Sequence, residues 1–242
     1  MKPNLTHRVR LAGFTLIELM IVVGIIALLA AMIFPAFSGI KRKAALKKAQ
    51  TELKQLETAI GAYKTKYGVF PPDNTKADHA TGAKRQYYAL NALYYELKGT
   101  KLTGNSYQTL DNRFTLATAA VSPAFDDGIT GFMNCTRGSS DESAPAQDFL
   151  KDLKPGQYLL GTNATHGIGL LVCSVQWAKD LPAVVAGFAP NDANVYPNPW
   201  RYNSSNPTNN VGQYDLWVDI IVSGKTNRIS NWSSRPQIVY EP

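Results

Sequence analysis

Apolar and polar positions divide the first third of the chain into three rhythms. Met1 to Gly13 is short and polar, with Lys2, Arg8 and Arg10 and no acid. From Phe14 to Phe37 the run FTLIELMIVVGIIALLAAMIFPAF is apolar almost throughout, and only Thr15 and Glu18 are clearly polar. As a helix rising ~1.5 Å per residue it covers about 36 Å, enough to cross a hydrocarbon core of ~30 Å. A plain secretory signal, with an apolar stretch of ~7–15 residues and a small-x-small cleavage site, fits less well. Beyond it, Leu46, Ala49, Leu53, Leu56, Ile60, Tyr63 and Tyr67 recur alternately three and four residues apart, opposite Lys47, Lys48, Lys54 and Glu57. That spacing predicts an amphipathic helix lying on a sheet and closed by Gly68 and Pro71–Pro72. Pro35 removes a backbone donor and predicts a kink, with Gly24 and Gly39 loosening the helix nearby.

Past Pro72 the pattern shortens. Asn74–Gln86 is polar and reads as a loop, and Leu90, Leu93, Tyr94 and Leu97 predict a short amphipathic helix ending near Gly99. Tyr87–Tyr88 and Tyr94–Tyr95 read as a half-buried helix face, and residues 100–156 as irregular and turn-rich. Strand-like runs follow at 157–161, 168–175 and 183–188. The clearest strand is Tyr214–Val222, whose even positions are all apolar while Asp215 and Asp219 point the other way. Trp217 shares that acidic side, so the side is expected to be partly covered, and Trp200, Tyr202 and Trp232 are expected to pack the sheet.

The chain has 242 residues, 45% apolar and 18% charged, with a formal net charge of +7. It can therefore bury a core, and is neither a disordered chain, a collagen nor a coiled coil. Charge does not orient the apolar run, because Lys41, Arg42, Lys43, Lys47 and Lys48 follow it as closely as three basic residues precede it. This basic cluster suits lipid headgroups or water first, and pairing with acids such as Glu52 and Glu57 of a neighbouring subunit second. No basic-aromatic groove pattern marks a nucleic-acid surface. His7, His79 and His166 have no metal-ligand spacing, GTNATHGIG lacks the Walker lysine, and neither GxSxG nor HExxH occurs. Asp126–Asp127–Gly128 reads as a turn. Cys135 and Cys173 are too few for a disulfide scaffold, but outside the cytoplasm an even pair is expected to bridge and tie a loop to the sheet.

Glu18 is the residue that composition does not explain. On insertion scales a charge within lipid costs ~2.5–3.5 kcal/mol for Asp and the basic residues, unless it finds a partner or reaches the headgroups. Cleavage at the polar-to-apolar junction between Gly13 and Phe14 would place a new α-amine four residues before it, and amine and carboxylate could neutralise each other within a chain or between neighbours.

GFTLIELMIVVGIIALLAAMIFPAF resembles, almost residue for residue, the N-terminus of type IV pilins and type II secretion pseudopilins. KYGVFPP and ALNALYYELKG fit the same layout. NPWRYNSSNPTNNVGQYDLWVDIIVSGKTNRISNW is similar to the closing segment of major pseudopilins, with its Pro-Trp, its Gly-x-Tyr-Asp-Leu strand and its final tryptophan. The likeness spans about 13–98 and 197–232, and 100–195 has no assignable counterpart.

The resemblance implies an α+β, pilin-like fold, in which a long N-terminal helix packs on a C-terminal antiparallel β-sheet head. It divides the chain into a cytoplasmic leader at 1–13, a membrane and assembly helix half at 14–38, an amphipathic half at 39–68 and a head at 69–242. It implies that prepilin peptidase cuts between Gly13 and Phe14, that Phe14 becomes N-methylated, that Glu18 pairs with the terminal amine of a neighbouring subunit, and that the helix loosens between Gly24 and Pro35. Many major pseudopilins bind calcium after the Asp-Leu strand. Here that turn carries Lys225 and Arg228 and no carboxylate, so neither calcium nor any other cofactor is expected. The function expected is a non-enzymatic subunit of an extracytoplasmic filament, a type II secretion-like pseudopilin held in the inner membrane as a single-pass protein. Its partners would be other pilin-like subunits, prepilin peptidase, an inner-membrane assembly platform with its ATPase, and lipid. A type IV or competence pilin, which alone would call for nucleic acid, is the alternative. A membrane-tethered enzyme or ligand-binding domain is the reading from a different class.

Overall fold

The computed structural model describes residues 14–77, 82–138, 145–163 and 165–239, and of 32–38 and 82–84 only the backbone. The chain divides into two units, Met1–Lys43 and Ala44–Pro242. The architecture is α+β: helix α1 (Leu16–Tyr67) is followed by short helices and three small sheets.

Within the second unit, the α1 stripe faces inward as its spacing predicts. Ala49, Leu53, Leu56, Ile60 and Tyr63 are buried, and Leu46 and Tyr67 pack against the same core. Lys47, Lys48 and Lys54 are exposed, and Lys54 pairs with Glu57 at 2.6 Å. Gly68 ends the helix in a left-handed conformation (φ 77°), where a side chain would be strained, and its N–H reaches Lys64 O at 2.8 Å. Glu52 corrects its expected role as an inter-subunit acid. It is buried, and its carboxylate accepts from the backbone N–H and the hydroxyl of Ser174.

Helix α2 (Leu93–Lys98) is shorter than expected and not amphipathic, since all six of its residues are buried. Tyr94 and Tyr95 are accordingly wholly enclosed rather than half-buried. Two charges therefore lie inside, and each is matched. Glu96 accepts from Tyr63 Oη at 2.8 Å and from the backbone N–H groups of Met133 at 2.7 Å and Asn134 at 2.9 Å. Lys98 Nζ donates to Asp148 Oδ2 at 2.6 Å and Leu150 O at 3.1 Å. Asn134 completes the junction: its Nδ2 donates to Glu96 O and its Oδ1 accepts from Tyr67 Oη at 2.6 Å. Burial raises the Glu96 pKa against the pull of those backbone donors, and burial together with the Glu96 carboxylate raises that of Tyr63.

The expected sheet is three sheets. The first, in the order β3-β2-β1-β4, holds β1 (Thr100–Thr103), β2 (Ser106–Thr109), β3 (Thr115–Ala117) and β4 (Cys135–Arg137), with β1 and β4 parallel and the other pairs antiparallel. Its strands lie in the stretch expected to be irregular, as does helix α3 (Thr118–Ala124). The second, in the order β6-β5-β7, is antiparallel and joins β5 (Tyr158–Asn163), β6 (His166–Leu171) and β7 (Ala189–Pro190). The run at 183–188 forms no strand, and β7 begins just after it. Gly169 of β6 lets Tyr94 approach so closely that a Cβ there would lie 2.7 Å from its ring, and its N–H reaches Tyr95 Oη at 2.9 Å.

The third sheet, in the order β11-β10-β9-β8, is antiparallel and joins β8 (Arg201–Asn203), β9 (Asp215–Val222), β10 (Lys225–Ser230) and β11 (Gln237–Val239). Leu216, Val218 and Ile220 of β9 are wholly buried, as their alternation requires. The opposite face is covered as well, since Asp215 and Asp219 are also buried.

Cys135 and Cys173 are free and buried, which corrects the expected bridge. They stand on different elements, β4 and the segment after β6, and each has a local partner. Cys135 Sγ lies 3.6 Å from Thr136 O, and Cys173 Sγ accepts from Val175 N–H at 3.4 Å. Burial holds the Cys173 thiol well above its usual range.

Two measurements test this packing. Glu96→Ala orphans three donors in the core and is expected to cost about 3 kcal/mol or more in denaturant unfolding, whereas Lys54→Ala on the exposed side should stay within ~0.5 kcal/mol. Thiol titration should find both cysteines unreactive in the folded protein and both reactive in denaturant without reductant; one disulfide in the denatured chain would contradict the structure.

Candidate processing and assembly segment

Helix α1 begins with its own cap. Thr15 Oγ1 accepts from Glu18 N–H at 3.3 Å and donates to Glu18 Oε2 at 2.7 Å, while Thr15 N–H reaches the same carboxylate oxygen at 2.9 Å. Leu19 N–H then closes the first turn on Thr15 O at 3.2 Å. This is a reciprocal capping box, which satisfies backbone donors that a helix start leaves open and sets the acid where the helix dipole favours it. The signature Thr-x-x-Glu ahead of an apolar run is legible in the sequence, yet the expectations for Glu18 were an amine partner or the headgroups.

After that turn the surface is apolar on every side. Leu16 is 76% exposed, Met20 66%, Ile26 59% and Leu28 63%, so no face of the helix is turned inward. Glu18 is the one charged side chain from Leu16 to Ala31. A helix apolar all round needs a non-aqueous surrounding, either lipid or other helices. Among the described residues no helix is long and apolar enough to cross a membrane. The run expected to do so, Phe14–Phe37, continues into 32–38, whose side chains lie outside the described residues, that of Pro35 among them. The backbone at Pro35 is helical, and Gly24 has open space where a side chain would stand.

Phe14 precedes the helix and is 80% exposed, and Gly13 lies outside the described residues with the rest of 1–13. Thr15 and Glu18 are thus brought together, whereas Gly24, Cys135 and Cys173 are separate features with no shared site. His7 and His79 fall outside the described residues, and His166 opens β6.

The segment after β9 does not suit calcium. Its turn is Ser223–Gly224, and the two acids of the strand are already engaged. Asp215 accepts from the backbone N–H groups of Thr208, Asn209 and Asn210 at 2.8–2.9 Å. Asp219 takes a two-point contact from Arg228 at 2.8 and 2.9 Å. Among the described residues no group of three or more His, Cys, Asp or Glu could hold a metal ion.

The family described as the prokaryotic N-terminal methylation motif matches residues 10–34. The type IV major pilin protein PilE of Neisseria gonorrhoeae is 38% identical over 71 residues, 29% of this chain and 42% of the relative. The type II secretion system core protein G of Vibrio cholerae is 44% identical over 59 residues, 24% of this chain and 40% of the relative. The fimbrial protein EcpC of Eikenella corrodens is 35% identical over 88 residues, 36% of this chain and 56% of the relative. The chain thus spans roughly half, or somewhat less, of the length of these curated relatives. No solved structure matches it significantly. In its methylation motif at 10–34 the chain is similar to a family of prokaryotic N-termini, and its relatives include proteins named as type IV pilins and as type II secretion core proteins G.

Proposed function

We propose that this chain is a structural subunit of an extracytoplasmic helical filament, and within that group a type II secretion-like pseudopilin rather than an enzyme. The observation that carries the proposal is a helix start that exposes apolar side chains all round and holds one carboxylate, four residues after Phe14. Such a surface is stable in lipid and equally stable among other helices, so a subunit can wait in the inner membrane and then pass into a filament. Packing drives the exchange more than hydrophobic energy does, because both surroundings are apolar. A carboxylate that must be neutralised then selects register, and the α-amine released by cutting between Gly13 and Phe14 is the partner of opposite charge.

The relatives named as type IV pilins and as type II secretion core proteins G match this chain to similar degrees, over 29% and 24% of its length. The pseudopilin reading rests on the Gly-x-Tyr-Asp-Leu stretch entering β9 and on Trp232 near the end. The type IV pilin reading is the alternative, carried by the relatives of that name.

Two experiments test the proposal. Co-expression with a prepilin peptidase should yield a product that begins with N-methylated Phe14 by mass spectrometry, and a product that still starts at Met1 overturns it. Glu18→Ala should be processed normally yet lower filament yield about tenfold or more, the scale of an unpaired charge in an apolar surrounding; normal yield would overturn the pairing. In the same cells, deletion that abolishes export of a secreted protein supports the secretion reading, and deletion that removes surface fibres supports the pilus reading.

A further inference from the structure

On the acidic face of the third sheet lies a cavity of about 530 Å³, a size usual for small-ligand sites. Strand register builds its floor. Arg201 of β8 stands opposite Trp217 of β9, and Arg228 of β10 opposite Asp219 of β9, so four side chains share one side. Trp177 and Tyr88 complete it: the Trp177 ring lies 5.7 Å from the Arg201 guanidinium, and the Tyr88 ring centre is 5.2 Å from that of Trp217.

The charges in this cavity do not balance. Asp219 is taken by the two-point contact with Arg228, and Asp215 by the backbone donors of 208–210. Arg201 feels the Asp219 carboxylate that Arg228 holds but makes no ion pair with it. Its Nη1 is buried and has no hydrogen-bond acceptor, and among the described residues no carboxylate lies within ion-pair distance of it. Burial and the neighbouring Arg228 depress the Arg201 pKa, and the Asp219 carboxylate offsets this only in part. A buried polar atom without an acceptor, set in a cleft, marks a candidate binding site.

We propose that this cavity binds a carboxylate carried on a ring with an apolar face, the chemistry of a uronic acid residue of an acidic polysaccharide. A guanidinium fork matches a planar carboxylate. The Trp177 and Trp217 rings offer flat apolar surfaces to the ring that bears it. The inference goes beyond filament assembly and does not depend on it, since every residue it uses belongs to the head.

Titration of the full-length chain, purified in a non-ionic detergent, tests it through tryptophan fluorescence, because Trp177, Trp217 and Trp232 all line the cavity. Digalacturonate should produce a saturable change, with the neutral digalactose and acetate alone at least tenfold weaker. Equal responses to digalacturonate and digalactose, or no response to digalacturonate, overturn the proposal. Phosphate competing as well as digalacturonate also overturns it, because recognition would then be of charge alone. Arg201→Gln should abolish the response while raising the melting temperature, because it removes a guanidinium whose buried Nη1 has no acceptor. A lowered melting temperature for Arg201→Gln would mark Arg201 as a structural residue and overturn the assignment. Trp177→Ala should weaken digalacturonate binding at least fivefold and leave the melting temperature near that of the parent.

Discussion

The head is organised around one buried carboxylate. Glu96 sits on a helix with no exposed side, and three donors from remote parts of the chain converge on it: a tyrosine of α1 and two successive backbone N–H groups ahead of β4. A carboxylate cannot stay in an apolar core unless its oxygens are satisfied, so α1, α2 and the approach to β4 must assume their positions together. Lys98, two residues further along, applies the same demand to Asp148 and Leu150. The two charges of α2 thereby draw residues 133–134 and 148–150 onto the helix from both sides. The short strands of the first sheet inherit their placement from that arrangement.

The N-terminal segment obeys the opposite constraint. Its backbone is satisfied by the helix and by the Thr15–Glu18 cap, so what remains is a surface of unburied apolar side chains. Nothing within the described residues of that unit covers it. The same polypeptide thus combines an interior that tolerates charge only where it is matched with an exterior that tolerates water poorly.

How far each element could be read from sequence follows from where its information lies. The α1 stripe and the alternation in β9 are set by the helical and strand periods, which are local, and both were legible. The burial of α2 was not, because a six-residue helix containing Glu and Lys reads as amphipathic until its partners at 133–134 and 148–150 are known. The strands TKLT and SYQT are short, polar and stabilised by pairing, so no apolar pattern announces them. An even cysteine count in an oxidising compartment carries no geometry, and the expected bridge was lost on placement. Within the candidate site, Phe14 and Glu18 stood out by chemistry, whereas Thr15 was legible as half of a capping box and gained its role only beside Glu18. Arg201 gave no signal at all, for the acceptor that its Nη1 lacks depends on which neighbours the fold has already engaged.

The cap at Thr15 bears on what severing the chain just ahead of Phe14 would do. Among the described residues, the hydrogen bonds that start the helix are all made from Thr15 onward, and the cap is complete without Phe14. A cut at that point would release a rod whose leading end is already finished and whose tip carries its acid in a set position, ready for docking without refolding.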